Sequence, residues 1–461
     1  VLENIIGSLM HLVDALMLAQ LENNVVYIAA TLLTSVWFWR LATTTGCVQS
    51  GCAAYVARRW GEQRFRAAGL ALAHSLVLAV TIGLGSAIVL FIMAPTMMNA
   101  LTDDAAVAAA ATSYYRIMMF AFPLRIGILV AAACLRAAGD TRTPLALMAF
   151  VLLLNVFFNW LLIYGNWGFP RMEMDGAAIG SALAWFIGFV LLVSLLLRGV
   201  RPRRLIPAAA RPDAGGLLAS GEIRKPLLPP PNALFRILRP GLRLWMPRIT
   251  PTVLRVSAPT LGEEALYSLG FISFVAMVGQ LGTDVLAAHG AVVRLESFSF
   301  TAGWGIAVAT AAMVGQALGA RNLPLARRFF SLNTTVVMVV MGLVAYAFVF
   351  FPEFFLGLFK LQDKVLSIGV TLMMILAMQQ SMMGATMVMS AGLRGAGYTI
   401  APLFTLFGGM LLMRLGLGYW LAWPMGLGIE GIYWATNADW AVRMTVLFFF
   451  VRSGRWEKVK V

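Results

Sequence analysis

Apolar runs long enough to cross a bilayer as helix recur from one end of this 461-residue chain to the other. About 20 residues at 1.5 Å per residue span the roughly 30 Å of hydrocarbon, and a helix satisfies its own backbone hydrogen bonds there. Splitting at Pro, Gly and charged residues gives about twelve spans, near 1–21, 26–56, 68–94, 105–136, 144–164, 175–197, 250–281, 284–317, 325–351, 365–392, 400–422 and 429–452. The expected fold is an all-α polytopic membrane protein embedded in a lipid bilayer.

Composition narrows the function classes. Residues are 60% hydrophobic and 12% charged, outside the balance of soluble domains. A net charge of +15 could suggest nucleic acid, but the basic residues fall in "VARRWGEQRFR", "LRAAGDTRTP", the stretch 198–243, "GARNLPLARR" and the tail "RSGRWEK". The connections between, such as "PTMMNALTDD", are acidic or nearly neutral. This is the alternation of the positive-inside rule, so the expectation is a multi-pass plasma (inner) membrane protein, both termini cytoplasmic, with no nucleic-acid partner. Cys47, Cys52 and Cys134 lie in apolar runs, and His11, His74 and His289 are scattered, so neither set groups as metal ligands. No signal-peptide pattern is evident, and Val1 opens inside a helix-like run, so a few residues are expected before it.

An internal repeat organises the chain. "LRAAGDTRTP" at 135–144 matches "LRGAGYTIAP" at 393–402, and "VARRWGE" at 56–62 aligns with "VGQALGA" at 314–320, both 258 residues apart. Ala29-Ala30 and Ala287-Ala288 keep that offset, and "DGAAIGSALAW" aligns with "EGIYWATNADW" at 255. Each unit holds about six crossings, so the units run the same way through the membrane as parallel repeats with pseudo-two-fold symmetry about the membrane normal, an architecture of rocking transporters. The expected boundaries are 1–198 for the N-terminal bundle, 199–243 for a basic, Pro-rich cytoplasmic linker and surface segment, and 244–461 for the C-terminal bundle.

Ionisable groups inside apolar spans are costly and so mark function. On a helical first span, Gly7, His11 and Asp14 share a face, and Asp14 with His11 one turn away titrates as a coupled unit. The plainer reading, an aspartate that only accepts hydrogen bonds from neighbouring helices, stays open. Asn155 and Asn159 stand at i, i+4 in "LLLNVFFNWLLIYG" and Ser181 in the next span, where they hold either the aspartate or a cation, or simply adhere helices. Tyr27, Tyr114 and Tyr115 are weaker candidates. Aligning "AQLE" at 19–22 with "GQLG" at 279–282, an offset of 260, places Phe274 opposite Asp14 and Glu263 opposite Glu3, so the ion chemistry is expected to be asymmetric and N-terminal. Glu263, Glu264, Arg294 and Glu296 are read as charges that pair with one another. The Met-rich span with Gln379, Gln380 and Met383 suits either ordinary packing or, with Tyr27 and Tyr267, an adaptable substrate cavity. Arg40, Arg125 and Arg414 either snorkel or pair internally.

"HLVDALML", the doubled "CLRAAGDTRTPL" and "GLRGAGYTIAPL", "LLLNVFFNWLLIYG" with "MDGAAIGSALAW", and "LAAHGAVVRLESFSF" with "MVGQALGA" together resemble the multidrug and toxic compound extrusion (MATE) family over nearly the whole chain. The resemblance implies a monomeric antiporter that exports small organic, often cationic or amphipathic, compounds in exchange for H⁺ or Na⁺, with no other cofactor. Asp14 takes the place of the family's first-helix aspartate, the position for a proton or a Na⁺. Asn155, Asn159 and Ser181 fall in the N-lobe network around it. Tyr267 and Met383 stand where the NorM type carries acidic residues, and Tyr398 replaces the usual Asp of the second loop, so the resemblance is nearer the DinF-like branch. A lipid-linked precursor flippase of the same superfamily is the alternative, kept open by Arg40, Arg125 and Arg294. A membrane enzyme is not expected, since no HExxH, DDxxD or GxSxG motif occurs.

Overall fold

The computed structural model describes residues 24–102, 104–198, 250–357, 359 and 362–459, and within the first 21 residues Ile6, Met10, Val13, Asp14, Leu16–Leu18, Gln20 and Leu21. Eleven long helices follow the leading span. They are α1 (Asn24–Gly61), α2 (Phe65–Asn99), α3 (Ala105–Ala137), α4 (Arg142–Tyr164), α5 (Glu173–Arg198), α6 (Thr250–Gly279), α7 (Thr283–Gly319), α8 (Leu323–Phe350), α9 (Asp363–Gly395), α10 (Ile400–Ala422) and α11 (Gly428–Arg452). No strand occurs among the described residues. Among the described residues nine helices, α2 to α10, are long and apolar enough to cross a membrane by length and composition alone. In α11 the charges Glu430, Asp439, Arg443 and Arg452 interrupt the apolar character. The linker 199–243 lies outside the described residues.

Two units result, and their boundary falls at Val253/Leu254, in the first turn of α6. In the N-terminal unit α3 packs against α1, α2 and α5, and α4 lies against α5. In the C-terminal unit α9 packs against α7, α8 and α11, and α10 lies against α11. The neighbour scheme is the same, as the repeat requires.

The repeat extends to single backbone angles. Gly139 and Gly397, equivalent residues of the two LRxAG loops, have φ of 96° and 85°, the left-handed region that glycine adopts without steric cost. Gly139 N–H donates to the Arg136 carbonyl and Gly397 N–H to the Arg394 carbonyl, each at 2.9 Å. Gln63 and Arg321, also 258 apart, both take positive φ between the paired helices. One substitution in the motif has a local consequence. Asp140 Oδ1 accepts from the N–H groups of Arg142 and Thr143 at 3.1 and 3.0 Å and so caps α4. Tyr398, at the equivalent position, instead packs its ring against Phe450.

Glycines set the close approach of α4 and α5. A Cβ on Gly176 would stand 2.6 Å from the Leu162 carbonyl oxygen, and one on Gly180 would stand 2.5 Å from Asn159 Oδ1. The small-xxx-small spacing brings the α5 backbone onto the face of α4 that carries the asparagines.

Candidate functional site

In the N-terminal unit, Asp14 from the leading span, Asn155 and Asn159 from α4 and Ser181 from α5 come together. All four are buried, the two asparagines to 0% exposure. Asn159 Nδ2 donates to Asp14 Oδ1, and Asn155 Nδ2 donates to Ser181 Oγ at 2.8 Å. The span is held a second time by Tyr164, whose hydroxyl hydrogen donates within reach of two acceptors, the Met17 carbonyl and Gln20 Oε1, both at 3.0 Å. Asn155 and Asn159 sit one turn apart, so one face of α4 presents both amides.

The side-chain oxygens of Asn155 and Asn159 are buried and have no hydrogen-bond partner among the described residues. Unpaired acceptors of this kind are costly, so a native structure that keeps them has a use for them. The polar groups gathered here, a carboxylate, two amides and a hydroxyl, offer oxygen rather than sulfur or imidazole, chemistry that suits a proton or a hard cation better than a soft metal. Tyr114 is buried on α3, its ring edge-on to Phe38 at 6.5 Å between centroids. The Arg125 guanidinium lies over the rings of Phe38 and Trp185, at 5.9 and 5.5 Å. His11 and Gly7 lie outside the described residues, as do the side chains of Cys47 and Arg40. Cys52 and Cys134 are buried free thiols.

Tyr27 does not join this group. Its hydroxyl donates to Glu173 at the start of α5. The other expected cavity residues belong to the C-terminal unit. Met383 is buried in an apolar cluster with Val337, Met341 and Trp440, and Tyr267 stacks on Phe271. Gln379 Nε2 donates to Glu296 Oε1 at 3.0 Å, and Gln380 Oε1 accepts from Ser299 Oγ at 2.9 Å.

The mutual pairing expected of Glu263, Glu264, Arg294 and Glu296 is not what the structure shows. Both carboxylate oxygens of Glu263 accept from Arg394 at 2.8 Å, and Arg294 is exposed. Glu263 thus takes Arg394 of α9 as its partner and Glu296 takes Gln379 of the same helix, so each carboxylate is held from α9 and not by the other charges of its own helix pair.

Sequence reasoning passed over the densest charge cluster of the described residues. Asp439, fully buried on α11, accepts from Arg443 one turn on through both oxygens, and its Oδ2 is ion-paired with Arg414 Nε of α10 at 2.8 Å. Arg414 lies over the rings of Phe274 and Trp440. It sits in a π-helical stretch, Phe407–Leu417, and a Cβ on Gly409 of that stretch would stand 2.1 Å from Asp439 Oδ1. The signal was present as an Asp and an Arg at i, i+4 inside an apolar run.

Ionisable groups buried at depth in a twice-repeated bundle of membrane-crossing helices belong to membrane transporters. The chain belongs to the MatE family, whose model matches residues 1–161 and again 259–420, two matches that begin 258 residues apart like the internal repeat. It is a multi-pass membrane transporter and not an enzyme. It is similar to a probable multidrug resistance protein NorM of Thermotoga maritima, 28% identical over 71% of this chain. That match spans 64% of the relative, so the chain covers a little under two thirds of its length. It is 21% identical to a probable multidrug resistance protein YoeA of Bacillus subtilis over 92% of this chain and 85% of the relative. The crystal structure of the Vibrio cholerae MATE transporter VcmN in its bent form shares the fold, with a TM-score of 0.81 at 16% identity over 98% of this chain and 93% of that one.

Proposed function

We propose that this chain is a proton-coupled antiporter that exports small organic, cationic or amphipathic compounds across the plasma (inner) membrane, with Asp14 as its coupling group. The observation that carries the reading is the Asp14–Asn159 hydrogen bond beside the unpartnered oxygens of Asn155 and Asn159. A carboxylate held by an amide, with spare acceptors around it, can exchange its charge with a proton without leaving the bundle. Names of the relatives, which speak of multidrug resistance, support the substrate class. Tyr267 and Met383, where the NorM type carries acids, favour the proton and the DinF-like branch over a C-lobe sodium site. The basic loops support a cytoplasmic position for both termini and the linker. A proton entering from outside neutralises Asp14, loosens its hold on Asn159 and changes how the leading span packs on α4 and α5.

The lipid flippase alternative needs several cations converging on a pyrophosphate. Arg125 is engaged over two rings of the N-terminal unit and Arg294 is exposed on the other, which gives that reading little support. The test is uphill efflux of ethidium from cells that express the intact chain or Asp14→Asn at matched levels. Loss of efflux in the variant is expected; undiminished efflux overturns the assignment of Asp14.

A further inference from the structure

The two units carry the same four-part chemistry on different helices. In the N-terminal unit a carboxylate, Asp14, accepts from an amide, Asn159, while a second amide, Asn155, bonds a hydroxyl, Ser181. In the C-terminal unit Glu296 accepts from Gln379 at 3.0 Å, while Gln380 bonds the Ser299 hydroxyl at 2.9 Å. Gln379 Oε1, like Asn159 Oδ1, is buried without a hydrogen-bond partner among the described residues.

The exchange is reciprocal. At the offset of 260 that aligns "AQLE" with "GQLG", Asp14 has Phe274 as its counterpart, and at the offset of 258 that holds along the next helix, Glu296 has Phe38. An arginine lies over each of those phenylalanines, Arg125 over Phe38 and Arg414 over Phe274. Each unit therefore has a carboxylate held by an amide and a phenylalanine lying under a guanidinium, with the carboxylate on the first helix of the repeat in one unit and on the second helix in the other.

Glu296 also has a line of titratable groups leading to one end of its helix. His289 and Glu296 are seven residues apart on α7 and share a face. His289 Nδ1 is 2.8 Å from the Tyr433 hydroxyl, and both residues are buried. At 1.5 Å per residue, His289 lies about 9 Å and Glu296 roughly 20 Å from the Thr283 end of α7. That end carries the exposed Asp284–Lys364 pair and, by the positive-inside reading, faces out.

The charged and titratable neighbours of Glu296 are few. Arg414 comes from α10 and Tyr267 from α6, with Tyr433 from α11 and the Gln379 amide from α9. Glu264, Arg443 and Asp439 stand behind Tyr267 and Arg414. The charges of α8 are Arg327 and Arg328 in its first turns, and Arg327 is paired with Glu457. Arg414 and Arg443 share a single aspartate. Protonating Glu296 removes one negative charge from the same unit, a change that favours rearrangement or release of a cationic substrate.

We propose that Glu296 is a second proton-binding carboxylate, reached from the Thr283 end of α7 through His289 and Tyr433, so that each transport cycle moves two protons. In balance, one proton adds to His289 and one leaves it toward Tyr433; Tyr433 gains that proton and yields its own. The carboxylate of Glu296 becomes a carboxyl, while His289 and Tyr433 return neutral. This rests on the antiport reading.

The test is the steady ethidium gradient that proteoliposomes sustain under one pH unit, with the membrane potential clamped to zero. Two coupled protons sustain roughly 100-fold and one sustains roughly 10-fold, since each proton supplies a tenfold step per pH unit. The intact chain is expected near the first value and Glu296→Gln near the second, whereas Tyr433→Phe and His289→Gln slow the approach without changing the end point. Proton release on ethidium binding to the protein in detergent, read with a pH indicator, covers a Glu296→Gln protein that cannot turn over. The intact chain is expected to release two protons and Glu296→Gln one. Equal release and an equal gradient in the intact chain and Glu296→Gln overturn the second site alone, whereas no pH-driven gradient and no release in the intact chain overturn antiport itself.

Discussion

Asn159 and Gly180 decide how Asp14 is held. Asn159 donates to the carboxylate, and a hydrogen bond to a charged group contributes about 1.5 to 3 kcal/mol, so Asn159→Ala is expected to cost on the order of 10-fold to 100-fold in pH-driven efflux rate. Gly180→Ala acts on the same bond from the next helix, because its Cβ would lie 2.5 Å from Asn159 Oδ1. Its efflux defect should match that of Asn159→Ala, while Gly69→Ala, whose Cβ meets nothing within 4 Å, should be silent. A Gly180→Ala protein as active as the intact chain would count against the amide as the carboxylate's holder. In the C-terminal unit, Asp439→Asn strands two buried guanidinium groups and is expected to destabilise by about 3 to 5 kcal/mol. Thermal unfolding in detergent checks this, since an unchanged midpoint would mean that the arginines find solvent. At this scale the sequence was legible where chemistry stood alone in an apolar run, as with Asp14. It was less so where the meaning lay in a contact between distant helices, as with Gln379 on Glu296 or Arg414 on Asp439.

The helices themselves follow from apolar length and from punctuation by Gly, Pro and charge, which is why span limits read from the chain lie within a few residues of those in the structure. What periodicity could not show is the π-helical stretch of α10, because its extra backbone width answers to the Asp439 carboxylate packed against Gly409. The LRxAG loops were visible as a repeated motif, and their physical content is a left-handed glycine that closes one helix before the next begins. Gly139→Ala and Gly397→Ala are each expected to cost about 1 to 2 kcal/mol, since a Cβ strains that backbone region. The two losses should be similar in thermal unfolding, because the turns are equivalent; a large difference would mean that the loops do unequal structural tasks. Asp140→Ala removes the α4 cap as well, for about 1 kcal/mol more. Tyr398→Ala loses a ring contact instead.

For the molecule as a whole, duplication explains why two units share a neighbour scheme while their polar residues diverge. Backbone turns and small residues at helix crossings were retained, since every crossing needs them, whereas each carboxylate stands on a different helix of its unit. Charge placement carries the orientation. An impermeant maleimide applied to intact cells should label a cysteine placed at Thr102 and spare one placed at Arg142, because basic loops stay inside; the reverse pattern would invert the protein in the membrane. The central claim is that a pH gradient, acting through Asp14, drives export. The most direct measurement is ethidium efflux from proteoliposomes under an imposed pH gradient and then under an imposed Na⁺ gradient, with the intact chain and Asp14→Asn side by side. Proton-driven efflux that disappears with the substitution is the expected result, whereas efflux driven by Na⁺ and undiminished in Asp14→Asn would contradict it.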